Sequence, residues 1–204
     1  HEFRMSYSSL LSMTQFLNSK ENDTVKKERL DIIAESAEIL LNDLNEIFEF
    51  LQLQNGIPIL QKQFSLTEIL NEITRIYKPA AEKQETQIEL IQHDNLPSYL
   101  IGDKFRIKRV LENLISNAIK FTKQGKITIE AKTAIDLGSK LIIKFTIRDT
   151  GIGMSEDAYD VIFEPLSRLN PSYSGVYKGK GFGLKLVKTF LDEIEGEIHV
   201  NSEL

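Results

Sequence analysis

The hydrophobic positions of this chain change period once, near residue 60. From Val25 to Leu53 there is neither glycine nor proline, and Leu30, Ile33, Ala37, Leu40, Leu44, Ile47 and Leu51 step alternately by three and four. Such a heptad seam belongs to a helix packed lengthwise against other helices. At 1.5 Å per residue the helix is roughly 40 Å long, too long to bury its seam against one small domain. Asn55-Gly56 supplies a stop, and Pro58 discourages continuation. Upstream, Phe3, Leu10, Met13 and Leu17 fit a shorter seam, with Ser6 at the remaining inward position. Residues 18–24 read as a polar connector, with Asp23 or Thr24 as the N-cap of the long helix. The pattern predicts an antiparallel helical hairpin. Two helices leave such a seam half open, so two copies forming a four-helix bundle is the expected solution. Taken alone, the segment fits a purely structural coiled coil equally well.

From Phe64 onward the pattern becomes mixed. Residues 66–82 predict a helix, residues 86–91 a short strand, and Asp103 the cap of a helix running to about Phe121. Residues 127–135 and 141–149 alternate like paired strands around a Leu137-Gly138-Ser139 turn. Residues 184–194 predict a helix with apolar positions at 184, 187, 191 and 194, and residues 197–201 a final strand. Helices grouped against a largely antiparallel sheet predict an α+β sandwich.

Composition removes several classes of function. The 204 residues carry 25 Lys+Arg against 30 Asp+Glu, a net charge of -5, so non-specific nucleic-acid binding is not expected. With no cysteine there is no disulfide, thiolate zinc site or cysteine nucleophile. His1, His93 and His199 lie too far apart for metal-ligand spacing. No apolar run approaches the ~18 residues a membrane span needs, so a cytoplasmic chain without membrane contact is expected. Hydrophobic residues make up 41%, enough to bury a core.

Candidate chemistry lies in three places. His1 shares a helical stripe with Met5, Ser8, Ser12 and Gln15, and an exposed imidazole followed by Glu2 could act as a nucleophile beside its own base. From position alone, a leading His-Glu-Phe fits an expression remnant as well. On the helix after Asp103, the buried face is Ile107, Val110, Leu111, Leu114, Ile115 and Ala118, while Asn113, Asn117 and Lys120 align at i, i+4 and i+7. Two carboxamides and an ammonium on one stripe can hold hydrated Mg²⁺ and the phosphates it neutralises. An ordinary solvated face carries the same residue types. Finally, Asp149-Thr150-Gly151-Ile152-Gly153 ends a strand, and a Ser/Tyr/Gly-rich segment, 167–178, leads into Gly179-Lys180-Gly181-Phe182-Gly183. Glycines entering a helix N-terminus offer backbone N–H groups to phosphate oxygens, although flexible hinges use them too. There is no GxxxxGK[ST], and no HRD or DFG, so neither a P-loop nor a protein-kinase fold of that type is expected.

In order, these segments resemble the boxes of sensor histidine kinases. His1-Glu2-Phe3-Arg4 resembles the phosphoacceptor box, usually HE[IL]R[TN]PL. The run from Asn113 to Thr122, NLISNAIKFT, is similar to the N box, and Asp149-Thr150-Gly151-Ile152-Gly153-Met154 to the first glycine box. Ile162-Phe163-Glu164-Pro165-Leu166 is similar to the F box, and Gly179 to Leu184 to the second glycine box, usually GTGLGL. The likeness spans nearly the whole chain, and four ATP-domain boxes in order are highly specific.

The resemblance implies a helical hairpin for dimerisation and histidine phosphoacceptance over residues 1–56. An α/β sandwich ATP-binding domain of the histidine kinase/Hsp90-like type follows over 57–204. It implies ATP and Mg²⁺ as cofactors, a homodimer, and a response-regulator receiver domain as partner. His1 is then the nucleophile toward the γ-phosphate, and Glu2 takes its proton. Asn117 coordinates Mg²⁺ with Asn113 and Lys120 assisting, Phe121 lies against adenine, and Asp149 accepts the adenine amino group. Gly151 and Gly153 let the backbone close on the base. Arg168 reaches the γ-phosphate, and Gly179, Gly181, Gly183 and Leu184 border the triphosphate. The chain is expected to be a fragment of a longer receptor, lacking residues before the phosphoacceptor and the family's last glycine-containing strand. That receptor is either free or anchored in the inner membrane.

The departures from the family pattern are informative. Ser6 replaces the usual proline, so the kink after the histidine is not expected. Lys180 and Phe182 replace the usual Thr and Leu of the second glycine box. Met5 stands where Thr or Asn is usual, and its thioether cannot donate a hydrogen bond to orient a water. Weak phosphatase activity toward a phosphorylated receiver is therefore expected, with a gain in Met5→Thr. Decay of a phospho-receiver without nucleotide measures it, and rapid decay with the wild-type chain would contradict it. These departures keep open a nucleotide-binding dimeric scaffold that does not phosphorylate itself. Chaperone, topoisomerase and mismatch-repair ATPases share the ATP fold but lack a heptad hairpin opening with HE-[FIL]-R.

Overall fold

The computed structural model describes residues 2–20, 23–54, 56, 58–155, 158–159, 161–164 and 183–203, with backbone alone at 2–8, 10, 35, 38–39, 42–43, 46, 49–50 and 52–54. Helix α1, Glu2–Lys20, and helix α2, Thr24–Gln54, form the expected hairpin. Asp23 is the cap of α2: its Oδ1 accepts from the N–H groups of Val25 at 3.0 Å and Lys26 at 3.1 Å. Asn18 donates to Asp31 across the hairpin, and Thr14 and Ala37 are buried between the helices. Much of the heptad seam stays open within one chain. Ile33, Leu51, Met13 and Leu17 are exposed, and Leu30, Leu40, Leu44 and Ile47 are only half-buried.

The second part opens with β1, Lys62–Phe64, and α3, Leu66–Glu82. Ser65 caps α3 by accepting from the Glu68 N–H, and Leu66, Ile69, Leu70 and Ile73 form its buried face. Strands β2, Gln87–Gln92, and β3, Leu100–Gly102, precede α4, Lys104–Phe121, which Asp103 caps as expected. Strands β4, Lys126–Asp136, and β5, Leu141–Asp149, turn through Leu137, whose N–H donates to the Lys140 carbonyl. Helix α5, Gly183–Glu193, follows.

The sheet order is β2-β4-β5, with β4 and β5 antiparallel from Ile127↔Asp149 to Asp136↔Leu141. The expected antiparallel pairing holds for β4–β5 and β1–β3, whereas β2 pairs with β4 in parallel. The chain leaves β2 and returns through β3 and α4 before laying down β4, and such a crossover makes the neighbours parallel. The pairing of β1 with β3 was not anticipated from the sequence. Ile127, Ile129 and Ala131 point from the sheet to α3 and to Leu111, Ile115, Ala118 and Ile119 of α4, forming the main core.

Two expectations change. Helix α5 buries Leu186, Val187 and Phe190; of the 184/187/191/194 positions only Val187 is fully buried, with Leu191 half-buried beside it, because the helix packs on Val110 and Leu114 of α4. Residues 197–201 form no strand with any described neighbour. Instead Ser202 anchors this segment: its Oγ accepts from the Met154 N–H at 3.0 Å, and its N–H donates to the Tyr159 hydroxyl at 2.6 Å.

Candidate functional site

Helix α4 carries the core of the site. Its buried face fixes its rotation, so Asn113, Asn117 and Lys120 lie half-buried along the opposite stripe. Asn113 Nδ2 donates to the Arg109 carbonyl at 3.0 Å, which leaves Oδ1 turned outward. That oxygen meets Gly183 at the start of α5: a Cβ there would stand 3.0 Å from it. The glycine thus lets α5 begin against the carboxamide stripe. Lys120 Nζ lies 5.0 Å from the centroid of the Phe121 ring, a cation–π contact.

The other end of the stripe is a tight turn. The Ile152 N–H donates to the Phe121 carbonyl at 3.3 Å, and Lys126 and Thr150 exchange two hydrogen bonds of 3.0 and 3.1 Å. Asp149 Oδ1 accepts from the Gly151 N–H at 2.9 Å and from the Thr122 hydroxyl at 3.4 Å. Asp149 is exposed and both bonds fall on Oδ1, so Oδ2 is open among the described residues. A Cβ at Gly151 would stand 2.5 Å from the Phe121 carbonyl oxygen and 2.7 Å from Asp149 Oδ1. Only glycine fits there. Gly151→Ala is expected to cost about 1–3 kcal/mol of stability, because backbone rather than a flexible side chain must move. Thermal unfolding measures this, and an unchanged midpoint would contradict it. Gly153 has φ +67°, the left-handed region that glycine enters without strain.

A buried ionic junction stabilises the far end of α4, and sequence reasoning missed it. Arg106 is 1% exposed. Its Nη1 reaches Asp103 Oδ2 at 2.5 Å, and its Nε donates to Glu193 Oε2 of α5 at 2.7 Å. Burial alone would push the Asp103 carboxyl up. Bonds from the N–H groups of Arg106 and Leu60 and from the guanidinium outweigh it and hold the carboxyl below its ordinary value. The sequence signal was an arginine at i−4 from Val110, on the apolar side, three residues after an aspartate.

Several expected residues lie outside the described part: His1, Arg168, Gly179 and Gly181, with Glu2 described by backbone alone. Those described fall into two groups, Phe121 with Asp149 and Gly151, and Asn113 with Gly183. Asn117 and Lys120 lie between them on α4, and Leu184 follows Gly183 in the first turn of α5. Among the described residues no cluster of three or more His, Asp or Glu side chains could hold a metal. A cavity of about 850 Å³ between α3 and β2 is lined by Arg75, Lys78 and Leu90, away from this stripe.

Residues 102–204 match the family of histidine kinase-, DNA gyrase B-, and HSP90-like ATPases. The chain belongs to that family. The matched segment of the chain begins just before the α4 cap and takes in the carboxamide stripe, Asp149 and both glycine groups. The likeness extends through the hairpin as well. The autoinducer 2 sensor kinase/phosphatase LuxQ of Vibrio vulnificus is 34% identical over 206 residues, covering 100% of this chain and 24% of LuxQ. The chain therefore spans about a quarter of the length of the curated relatives it matches. Full-length ShkA, solved in complex with AMPPNP, superposes with a TM-score of 0.77 at 27% identity over 100% of this chain and 42% of ShkA. Histidine kinase ThkA, in complex with the response regulator protein TrrA, shares the fold at a TM-score of 0.61 and 20% identity, over 98% of this chain and 56% of ThkA. Family and fold together make this chain homologous to the kinase region of sensor histidine kinases. Among the described residues, no helix is long and apolar enough to cross a membrane.

Proposed function

We propose that this chain is the core of an ATP-dependent protein-histidine kinase that phosphorylates His1 and passes the phosphoryl group to a receiver aspartate. One observation carries the reading. A single helix face, Asn113-Asn117-Lys120, is bounded at one end by a base-sized turn with an open carboxylate oxygen and at the other by Gly183 against Asn113. A nucleotide laid along it has its base at Asp149 and Phe121 and its phosphates toward Gly183. Asp149 Oδ2 accepts the adenine amino group, and Gly151 and Gly153 allow the backbone close to the ring. Asn117, with Asn113 and Lys120 beside it, is the oxygen donor that would hold Mg²⁺, and the ion would supply charge neutralisation for the phosphates. The outward Oδ1 of Asn113 and the absence of a Cβ at Gly183 leave room for such ligands.

Transfer then needs an acceptor. A His1 ring nitrogen attacks the γ-phosphorus, the bond to the β,γ-bridging oxygen breaks, and ADP leaves while Glu2 takes the ring proton. By resemblance, Arg168 is assigned to the γ-phosphate, and Gly179 and Gly181 to the border of the triphosphate. Positioning and charge neutralisation supply most of the rate in phosphoryl transfer. The receiver aspartate next attacks the phosphorus of the phosphohistidine, the N–P bond breaks, and Glu2 returns its proton so that the imidazole leaves neutral. ShkA with a bound ATP analogue and ThkA with a response regulator support these assignments by likeness of fold. Exposed Met13, Phe16, Leu17, Ile32 and Ile33 on the hairpin support a second copy completing a four-helix bundle.

Incubation with γ-labelled Mg·ATP tests the reading. It requires protein-bound label that survives base, is lost in acid, and moves to an added receiver domain. A chain that binds Mg·ATP and dimerises but takes up no label would be the scaffold instead.

A further inference from the structure

We propose that Arg106 is a positioning residue that couples the linker between hairpin and ATP-binding domain to the two helices holding the phosphates. The inference rests on the proposed nucleotide site and goes beyond it. Helices α4 and α5 lie antiparallel, and their contacts form a lever with two pinned ends. At one end Gly183 abuts Asn113; at the other, Glu193 bonds Arg106. Val110 lies between these ends, packed on Leu186, Val187 and Phe190.

Among the described residues, the linker is hydrogen-bonded to the second end. Arg106 Nη1 donates to the Pro58 carbonyl at 3.4 Å, and Asp103 Oδ2, which bonds the same guanidinium, accepts from the Leu60 N–H at 3.0 Å. Residues 58–60 are themselves exposed, so this junction rather than apolar burial holds them. Helix α2, which leads into the linker, also touches α5. One buried guanidinium therefore joins the linker, the start of α4 and the end of α5. A buried charge with a fixed fork of donors tolerates few alternative geometries, so movement of the linker must move α5 against α4 or break the junction. Such movement shifts Gly183 against Asn113. By reciprocity, nucleotide bound along the proposed stripe beside that contact must act back on the linker.

The test is hydrogen exchange of the linker amides in the whole chain, with and without Mg·ATP, beside calorimetry of Mg·ATP binding. In the wild type, Mg·ATP is expected to slow exchange at Leu60 by about 5-fold or more, the lower range of measured couplings between sites. Glu193→Gln removes one charged arm from a partly exposed position and leaves Asp103 and the linker bonds in place. It is expected to keep Mg·ATP affinity within about 3-fold while the nucleotide effect on Leu60 falls below about 2-fold. Arg106→Lys, which keeps the charge without the fork, is expected to lose the effect as well, and Glu193→Gln decides the matter if it misfolds. Wild-type exchange indifferent to bound Mg·ATP would overturn the coupling. A full nucleotide effect in Glu193→Gln, or an affinity loss as large as the loss of coupling, would overturn the positioning role. Failure of the wild type to bind Mg·ATP would overturn the nucleotide site itself, and this inference with it.

Discussion

Asp149→Asn is expected to weaken ATP and ADP alike by roughly 10- to 150-fold, the equivalent of losing a charged hydrogen bond worth about 1.5–3 kcal/mol. The two carboxylate oxygens have different tasks. Oδ1 accepts from the Gly151 N–H and the Thr122 hydroxyl and so holds the turn. In the proposed site, Oδ2 is the oxygen that would accept from the amino group of the base. An asparagine has only one oxygen for both tasks. With that oxygen on Gly151, its NH₂ faces the adenine NH₂, donor against donor. Flipped, it satisfies the base and leaves the Gly151 N–H without its partner. Calorimetry with both nucleotides measures the loss. Wild-type affinity in the variant would place the base elsewhere.

Asn117→Ala is expected to separate the metal from the base. Mg·ATP should weaken by about tenfold or more, because the ion loses its protein oxygen ligand, while metal-free ADP should change by less than about 2-fold. Alanine is the better helix former, and Asn117 lies outside the buried face of α4, so the fold should not suffer. An equal loss for both ligands would show that Asn117 shapes the helix rather than the metal site.

What could be read in the sequence was local. Asp23 and Asp103 mark the starts of α2 and α4 because capping depends on residues two or three places away. The carboxamide stripe was legible for the same reason: i, i+4 and i+7 define a helix face without tertiary knowledge. The face of α5 was not. Leu184, Leu186, Val187, Phe190, Leu191 and Ile194 support two overlapping stripes, and contact with Val110 selects one. Strands β1 and β3 are three residues each, too short to show a period. The parallel pairing of β2 with β4 depends on how the chain returns, not on alternation. Ile198 and Val200 alternate like a strand, yet among the described residues they gain no ladder partner. Arg106 was hidden most deeply. Its acidic partners are three residues upstream and 87 downstream, and a charge on an apolar face is intelligible only once Glu193 is seen beside it.

The kinase assignment stands on where phosphate goes. Tandem mass spectrometry of the chain at neutral pH, after incubation with Mg·ATP, locates it directly. The account predicts phosphate on the His1 ring, none there in His1→Gln, and Mg·ATP affinity in His1→Gln equal to that of the wild type. Phosphate on another residue, or none at all on a chain that binds Mg·ATP, would contradict it.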